Sequence, residues 1–87
     1  MQLEIYTPER NVFKGTVEGV QLPGLDGLFE ILSHHAPMVA ALAPGKMKVI
    51  NDKSSTSFYK IKGGFVEMLN NQATVLVEGA VPTPVGQ

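Results

Sequence analysis

LPGLDGLFEILSHHAPMVAALAPGKMKV, residues Leu22–Val49, carries three rigid punctuation points: Pro23-Gly24, Ala36-Pro37 and Pro44-Gly45. Proline fixes φ and removes a backbone donor, glycine reaches angles that other residues avoid, and the residue before a proline is pushed toward extended geometry. Only short apolar runs fit between these points. The stretch therefore reads as short strands that turn sharply, with no room for a long helix.

Working outward, Leu3–Thr7 alternates and meets Pro8, which predicts a strand closed by a turn. Val12 to Leu22 is predicted as one strand whose alternation slips around Gly15 and Gly19, as a bulge near one glycine would make it. Gly27–Leu32 is a third short strand, and Ser33–Pro37 is a turn or at most a single helical turn. Met38–Ala43 is almost continuously apolar, which predicts a strand buried on both faces. Lys46–Val49 alternates with its lysines outward, and Phe58–Lys62 alternates with Tyr59 and Ile61 inward. Asn51–Ser55 is a polar loop. The segment from Gly79 onward is rich in Pro and Gly and is expected to fray.

The last hairpin is legible to the residue. Asn tolerates positive φ, so Asn70-Asn71 reads as a two-residue turn. That turn pairs Leu69 with Gln72, Met68 with Ala73, Glu67 with Thr74, Val66 with Val75, and Phe65 with Leu76. One face then carries Val66, Met68, Ala73, Val75 and Val77 into the core. The other sets Phe65 and Leu76 beside Glu67 and Thr74. That outer apolar pair is either a partner-binding surface or is covered by the chain's own tail. The core is predicted to contain Ile5, Ile31, Val49, Ile61, Val66, Met68, Val75 and Val77.

Many short strands and no sustained helical repeat place the chain in the all-β class. The expected form is a flattened antiparallel β-sandwich of about eight to ten strands, or a small barrel. The 87 residues suffice for one domain, residues 1–87, with a flexible tail from about residue 79. With no cysteine, disulfides, zinc-thiolate sites and thiol catalysis are excluded. The net charge of −1 and scattered lysines argue against long-range attraction to nucleic acid or anionic lipid. No apolar run reaches the ~20 residues of a membrane-spanning helix, and the alternating start lacks the apolar core of a signal peptide.

Candidate chemistry is sparse. His34 and His35 are neighbours, and in extended backbone they point to opposite sides, so a metal site would need other ligands to converge on them. Gly24 and Gly27 lie in neither a Walker pattern nor a dinucleotide fingerprint, and a tight turn is the simpler reading. Asp26 and Glu30 stand four apart with no His or Lys beside them, which suits solvated side chains better than an acid–base pair. Ser54, Ser55 and Ser57 have no neighbouring base. No catalytic residue, cofactor-binding residue or metal ligand is assigned.

The order Pro23-Gly24, Gly27, Glu30-Ile31-Leu32, His35-Ala36-Pro37, Leu42, Pro44-Gly45 resembles the N-terminal β-sandwich domain of the F-type ATP synthase epsilon subunit (delta in mitochondria). The resemblance continues through Gly63-Gly64-Phe65 and Ala73–Val77, and covers Leu3 to about Val81. Many relatives carry Pro-Gly or Pro-Asn where this chain has Ser33-His34. The helical hairpin on which relatives place ATP sensing and inhibition has no counterpart here, so neither is expected of these residues.

The resemblance implies a non-catalytic rotor subunit of the central stalk that couples the gamma subunit to the c-ring. It implies a c-ring contact at Leu25, Asp26, Gly27 and Leu28, and gamma-side positions at Thr7, His35 and Ala40. It also implies a peripheral membrane location on the cytoplasmic face of a bacterial inner membrane, with an organellar equivalent ranked second. Two rivals come from the residues. A small-ligand or metal-binding β-barrel would need His34 and His35 to meet Glu30, Glu67 or another acid at a cavity. An OB-like nucleic-acid module would need Tyr6, Phe13, Phe29, Phe58, Tyr59 and Phe65 to line a basic groove.

Overall fold

The computed structural model describes residues 1–84. Its ten strands are β1 (Gln2–Tyr6), β2 (Asn11–Thr16), β3 (Gly19–Gly24), β4 (Gly27–Leu32), β5 (Met38–Leu42), β6 (Gly45–Asp52), β7 (Ser55–Ile61), β8 (Gly64–Leu69), β9 (Gln72–Val77) and β10 (Ala80–Thr83), with no helix among the described residues. They follow the order β10-β7-β6-β3-β5-β8-β9-β1-β2, with β4 paired to β3. The domain is a β-sandwich, as the alternating short runs predict.

β3 joins the two layers. Its first half, Gly19–Gln21, pairs with Ile50–Lys48 of β6, while Gly24 at its end pairs with Leu42 of β5. The first layer is thus β10-β7-β6-β3-β4 and the second β5-β8-β9-β1-β2. All pairs are antiparallel except one: β1 runs parallel to β9, from Gln2 beside Gln72 to Tyr6 beside Leu76. Parallel neighbours need a distant connection, so nothing local in the sequence signals this pairing.

The core lies between the layers. All eight residues expected there are buried, none above 4% exposed, and Leu3, Val20, Leu22 and Met47 join them. Strand alternation does this: Met47 and Val49 point inward from β6, Tyr59 and Ile61 from β7, Val66 and Met68 from β8, and Val75 and Val77 from β9. Ile61→Val removes one methylene from this core and is expected to lower unfolding stability by about 0.5–1.5 kcal/mol. A urea titration showing no shift of the midpoint would place Ile61 outside a packed interior.

The expected loop Asn51–Ser55 narrows to a turn at Lys53-Ser54, because β6 runs to Asp52 and β7 starts at Ser55, and three further sequence expectations need correction. Val12–Leu22 is not one bulged strand. β2 ends at Thr16, Val17 N–H bonds the Met1 carbonyl at 2.9 Å, and Glu18 N–H bonds the Ile50 carbonyl at 2.8 Å. The slip in alternation marks the point where the chain leaves one layer for the other. Met38–Ala43 is not buried on both faces. β5 ends at Leu42, its one fully buried residue, and Val39 is 70% exposed. Ala40 and Ala41 supply apolar letters without needing burial, so the run mimics a doubly covered strand. The tail is not all fraying either. Ala80–Thr83 forms β10, pairing with Ile61–Phe58 of β7, and the tail beyond residue 84 lies outside the described residues.

The turns follow their residues. Asn70 and Asn71 have φ of 52° and 59°, the two positive angles of a type I′ turn, and β8 and β9 pair in the register predicted for them. Residues 33–37 make no helix. His35 N–H reaches the Leu32 carbonyl at 3.1 Å, and His34 sits at φ 66°, the third position of a type II-like turn.

Candidate functional site: two docking surfaces

The first surface is the tip of the β3–β4 hairpin. Gly24 pairs with Gly27, leaving Leu25 and Asp26 as the turn. Gly27 has φ 123°, which a side chain would resist, although open space surrounds it. Leu25 in this turn and Leu28 just after it are 69% and 68% exposed. A shallow hollow there is lined by Gly24–Phe29 together with Ala40 and Ala41 of β5. The tip therefore presents two leucines and one carboxylate from a rigid hairpin.

The second surface is the outer face of the β5-β8-β9-β1 layer. Register sets Ala41, Phe65, Leu76 and Tyr6 in one row across four strands, and Val39, Glu67, Thr74 and Glu4 in the next. Phe65 and Leu76 are 58% and 53% exposed. No described part of the tail covers them, because β10 lies on the other layer. Val39, Phe65, Val66, Glu67, Thr74 and Leu76 line a shallow cleft of about 250 Å³. The Tyr6 hydroxyl donates to Glu4, and Gln72 Nε2 donates to the other Glu4 oxygen at 2.7 Å, so both carboxylate oxygens are held by neighbours on this face. The bond to Glu4 is the main cause that raises the Tyr6 pKa above its ordinary value, with desolvation adding to it. The face is apolar along one row and acidic beside it.

The gamma-side positions implied by resemblance do not form one cluster. Thr7 begins the β1–β2 turn, where its N–H bonds the Arg10 carbonyl at 2.9 Å, and it borders a hollow with Gly63, Gly64 and Phe65. His35 lies at the opposite end of the layer: the loop holding it is tied to the β8–β9 turn by His34 N–H donating to Asn71 Oδ1 at 2.7 Å. Ser33 N–H bonds the Glu18 carbonyl at 3.2 Å, and His35 Nδ1 donates to the Ala36 carbonyl at 2.8 Å, so the loop has fixed anchors without proline or glycine at 33 and 34. Ala40 faces inward, half-buried against the core, beside the β3–β4 tip. Thr7 and His35 thus bracket the outer face. Sequence reasoning missed Val39, Tyr6 and Glu4 as members of it, because their placement depends on the β5–β8 and β1–β9 registers.

Exposed apolar side chains on a folded sheet suit both surfaces to docking. Among the described residues no three of His, Cys, Asp or Glu converge as metal ligands, so His34 and His35 form no such group with Glu30 or Glu67. The aromatics are split: Tyr59 is buried, Phe13 and Phe29 pack against the core, Phe58 lies on the outside of the first layer, and Tyr6 and Phe65 lie on the outside of the second. They make no common stacking platform.

Comparison with known proteins agrees with the fold and its motifs. Residues 1–83 match the family described as "ATP synthase, Delta/Epsilon chain, beta-sandwich domain". The ATP synthase epsilon chain of Chlorobium limicola is 49% identical over 78 residues, covering 88% of each chain. That of Caulobacter vibrioides is 38% identical over 81 residues, covering 93% of each. That of Protochlamydia amoebophila is 43% identical over 76 residues, and there the match spans 52% of the relative's length. Among solved structures, a chain of the Euglena gracilis mitochondrial ATP synthase OSCP/F1/c-ring assembly superposes with TM-score 0.87 at 23% identity, over 92% of this chain and 51% of that one. A chain of the Tetrahymena thermophila mitochondrial ATP synthase central stalk/c-ring superposes with TM-score 0.75 at 17% identity, over 91% and 63%. At these identities the two structures bear on the fold alone. From Met1 to Thr83, the chain belongs to the β-sandwich family of ATP synthase delta/epsilon chains.

Proposed function

We propose that this chain is a non-catalytic central-stalk subunit of an F-type ATP synthase, binding the gamma subunit and the c-ring and turning with both. The outer face of β5-β8-β9-β1 is the seat for gamma, and the β3–β4 tip, Leu25–Leu28, is the c-ring contact. The observation that carries this reading is the outward row Ala41–Phe65–Leu76–Tyr6, with Phe65 and Leu76 exposed at its centre, bracketed by Thr7 and His35 and set on a sandwich of the epsilon family. Bacterial relatives named as ATP synthase epsilon chains support it.

The role is mechanical. A close-packed interior deforms little under load, so a sandwich with one continuous core passes torque between surfaces better than a flexible linker. The two surfaces share that core: Leu22 and Ile31 behind the tip pack in the same cluster as Val66 and Val75 behind the outer face. In this reading the catalytic steps belong to other subunits, and the chain is held at the membrane, on its cytoplasmic face in a bacterium, by those subunits.

Reassembly of a complex lacking this subunit tests the tip. Leu25→Asp with Leu28→Asp places charge where an apolar contact is proposed, and both residues are already exposed, so the fold should survive. ATP hydrolysis is expected to continue while ATP-driven proton pumping falls severalfold. Pumping at the wild-type level from a correctly folded variant would remove the tip from the c-ring interface.

A further inference from the structure

The two outer faces of the sandwich differ in charge. On the β5-β8-β9-β1-β2 side, register places Glu4 and Glu67 outward, with Lys14 beside Glu4. On the opposite side, Lys46 and Lys48 project from β6 and Lys60 from β7, while Met47, Val49, Tyr59 and Ile61 alternate into the core beneath them. Lys46 pairs directly with Lys60. Lys48 pairs with Phe58 on one side and Gln21 on the other, and Lys60 has Val81 across its second edge. None of these cross-strand neighbours is an acid; Glu30 lies one strand farther, beyond Gln21. Lys46 Nζ stands 5.3 Å from the centroid of the Phe58 ring, within cation–π range.

Like charges directly opposite one another on a sheet are destabilising. The core does not require this pair, since both side chains leave the sheet on the solvent side, where a threonine would suit a strand better. Glu9 and Glu78 border the same hollow as Lys60 at the far end of β7, whereas Lys46 and Lys48 have no acidic neighbour across a strand, so a carboxylate from outside would relieve the like-charge pair. Its geometry is regular: Lys46 and Lys48, two residues apart on one strand, are spaced by roughly 7 Å, with Lys60 roughly 5 Å across from Lys46.

We propose that Lys46, Lys48 and Lys60, grouped around Phe58, form a further docking surface for an acidic protein segment with Asp or Glu at alternate positions of an extended strand. The spacing of such carboxylates matches the lysine spacing along β6. Nucleic acid fits less well, because Phe58 is the lone outward aromatic among the described residues of this face and the chain's net charge is −1. A membrane surface fits less well too, because Phe58 is half-buried beneath Lys46 and does not protrude for insertion. The surface lies on the layer opposite the proposed gamma seat and stands without it.

The test is an amide-shift titration of the full chain with a blocked (Glu-Thr)4 peptide at low salt. Saturable changes confined to residues 46–50 and 56–62 are expected, weakened by added salt and absent with a (Lys-Thr)4 peptide. Lys46→Gln with Lys60→Gln should bind at least tenfold more weakly while its urea midpoint stays the same or rises. Lys46→Arg with Lys60→Arg, which keeps the charge, should bind like wild type. No saturable change, changes spread over other faces, or equal affinity in the Gln variant would overturn the proposal. Tighter binding to an oligothymidylate or to phosphatidylglycerol vesicles would overturn it as well, assigning the face to that ligand instead.

Discussion

Gly64→Ala is expected to destabilise this chain by about 3 kcal/mol or more, a larger effect than truncating a core side chain by one methylene. Gly64 opens β8 and pairs with Val77 of β9. A Cβ there would collide with the carbonyl oxygen of Leu76 and stand 2.7 Å from the Cα of Val77. Both obstacles are backbone atoms, and their strand is paired on its two sides, to β8 and to β1. The strand cannot retreat without breaking one ladder, so the cost should reach or exceed the ~3 kcal/mol upper end of ordinary overpacking. An 87-residue domain has a total stability of roughly 4–13 kcal/mol at typical values per residue. Gly27→Ala is the contrast: it meets no atom within 4 Å and bears only the strain of a positive φ. Urea titrations of the two variants should separate them clearly. A Gly64→Ala protein as stable as Gly27→Ala would show that β8 and β9 do not approach as described.

Phe65→Glu combined with Leu76→Glu is expected to weaken binding to purified gamma by at least 100-fold, about 2.7 kcal/mol, with the fold intact. Both side chains are more than half exposed, so their loss removes little from the core. At an interface, large apolar side chains near the centre of the contact carry most of the energy. Two new carboxylates would also join Glu4 and Glu67 on the same face and repel any acidic group on the partner. Calorimetric titration alongside a urea midpoint reads both quantities. A change below threefold with the midpoint preserved would move the gamma seat elsewhere.

The fold was legible where chemistry is local. Asn70-Asn71 set the β8–β9 register because positive φ at two successive residues suits asparagine and specifies one turn type. The inward positions of β6 and β7 followed from clean alternation, since a strand with one buried face repeats every two residues. Legibility failed where partners are distant. Met38–Ala43 could not reveal that Val39 faces water, because that depends on which face of β5 meets β8. Val12–Leu22 could not reveal its break, because that break exists to carry the chain from β1 to β6. The candidate site was partly legible. Leu25 and Leu28 stand out as leucines flanking an Asp-Gly turn, and Phe65 and Leu76 followed from the hairpin register. Tyr6, Glu4 and Val39 joined them only through strands far apart in sequence, and the lysine pair 46/60 became visible only when β6 met β7.

The most direct measurement uses one chain carrying a photoreactive group at Leu76→Cys and a second at Leu28→Cys, reassembled into an ATP synthase that lacks this subunit. Illumination should yield a single covalent product containing gamma, this chain and a c subunit, with gamma attached through position 76 and c through position 28. Products in which both positions capture the same subunit, or in which neither captures gamma or c, would contradict a sandwich that joins the stalk to the ring.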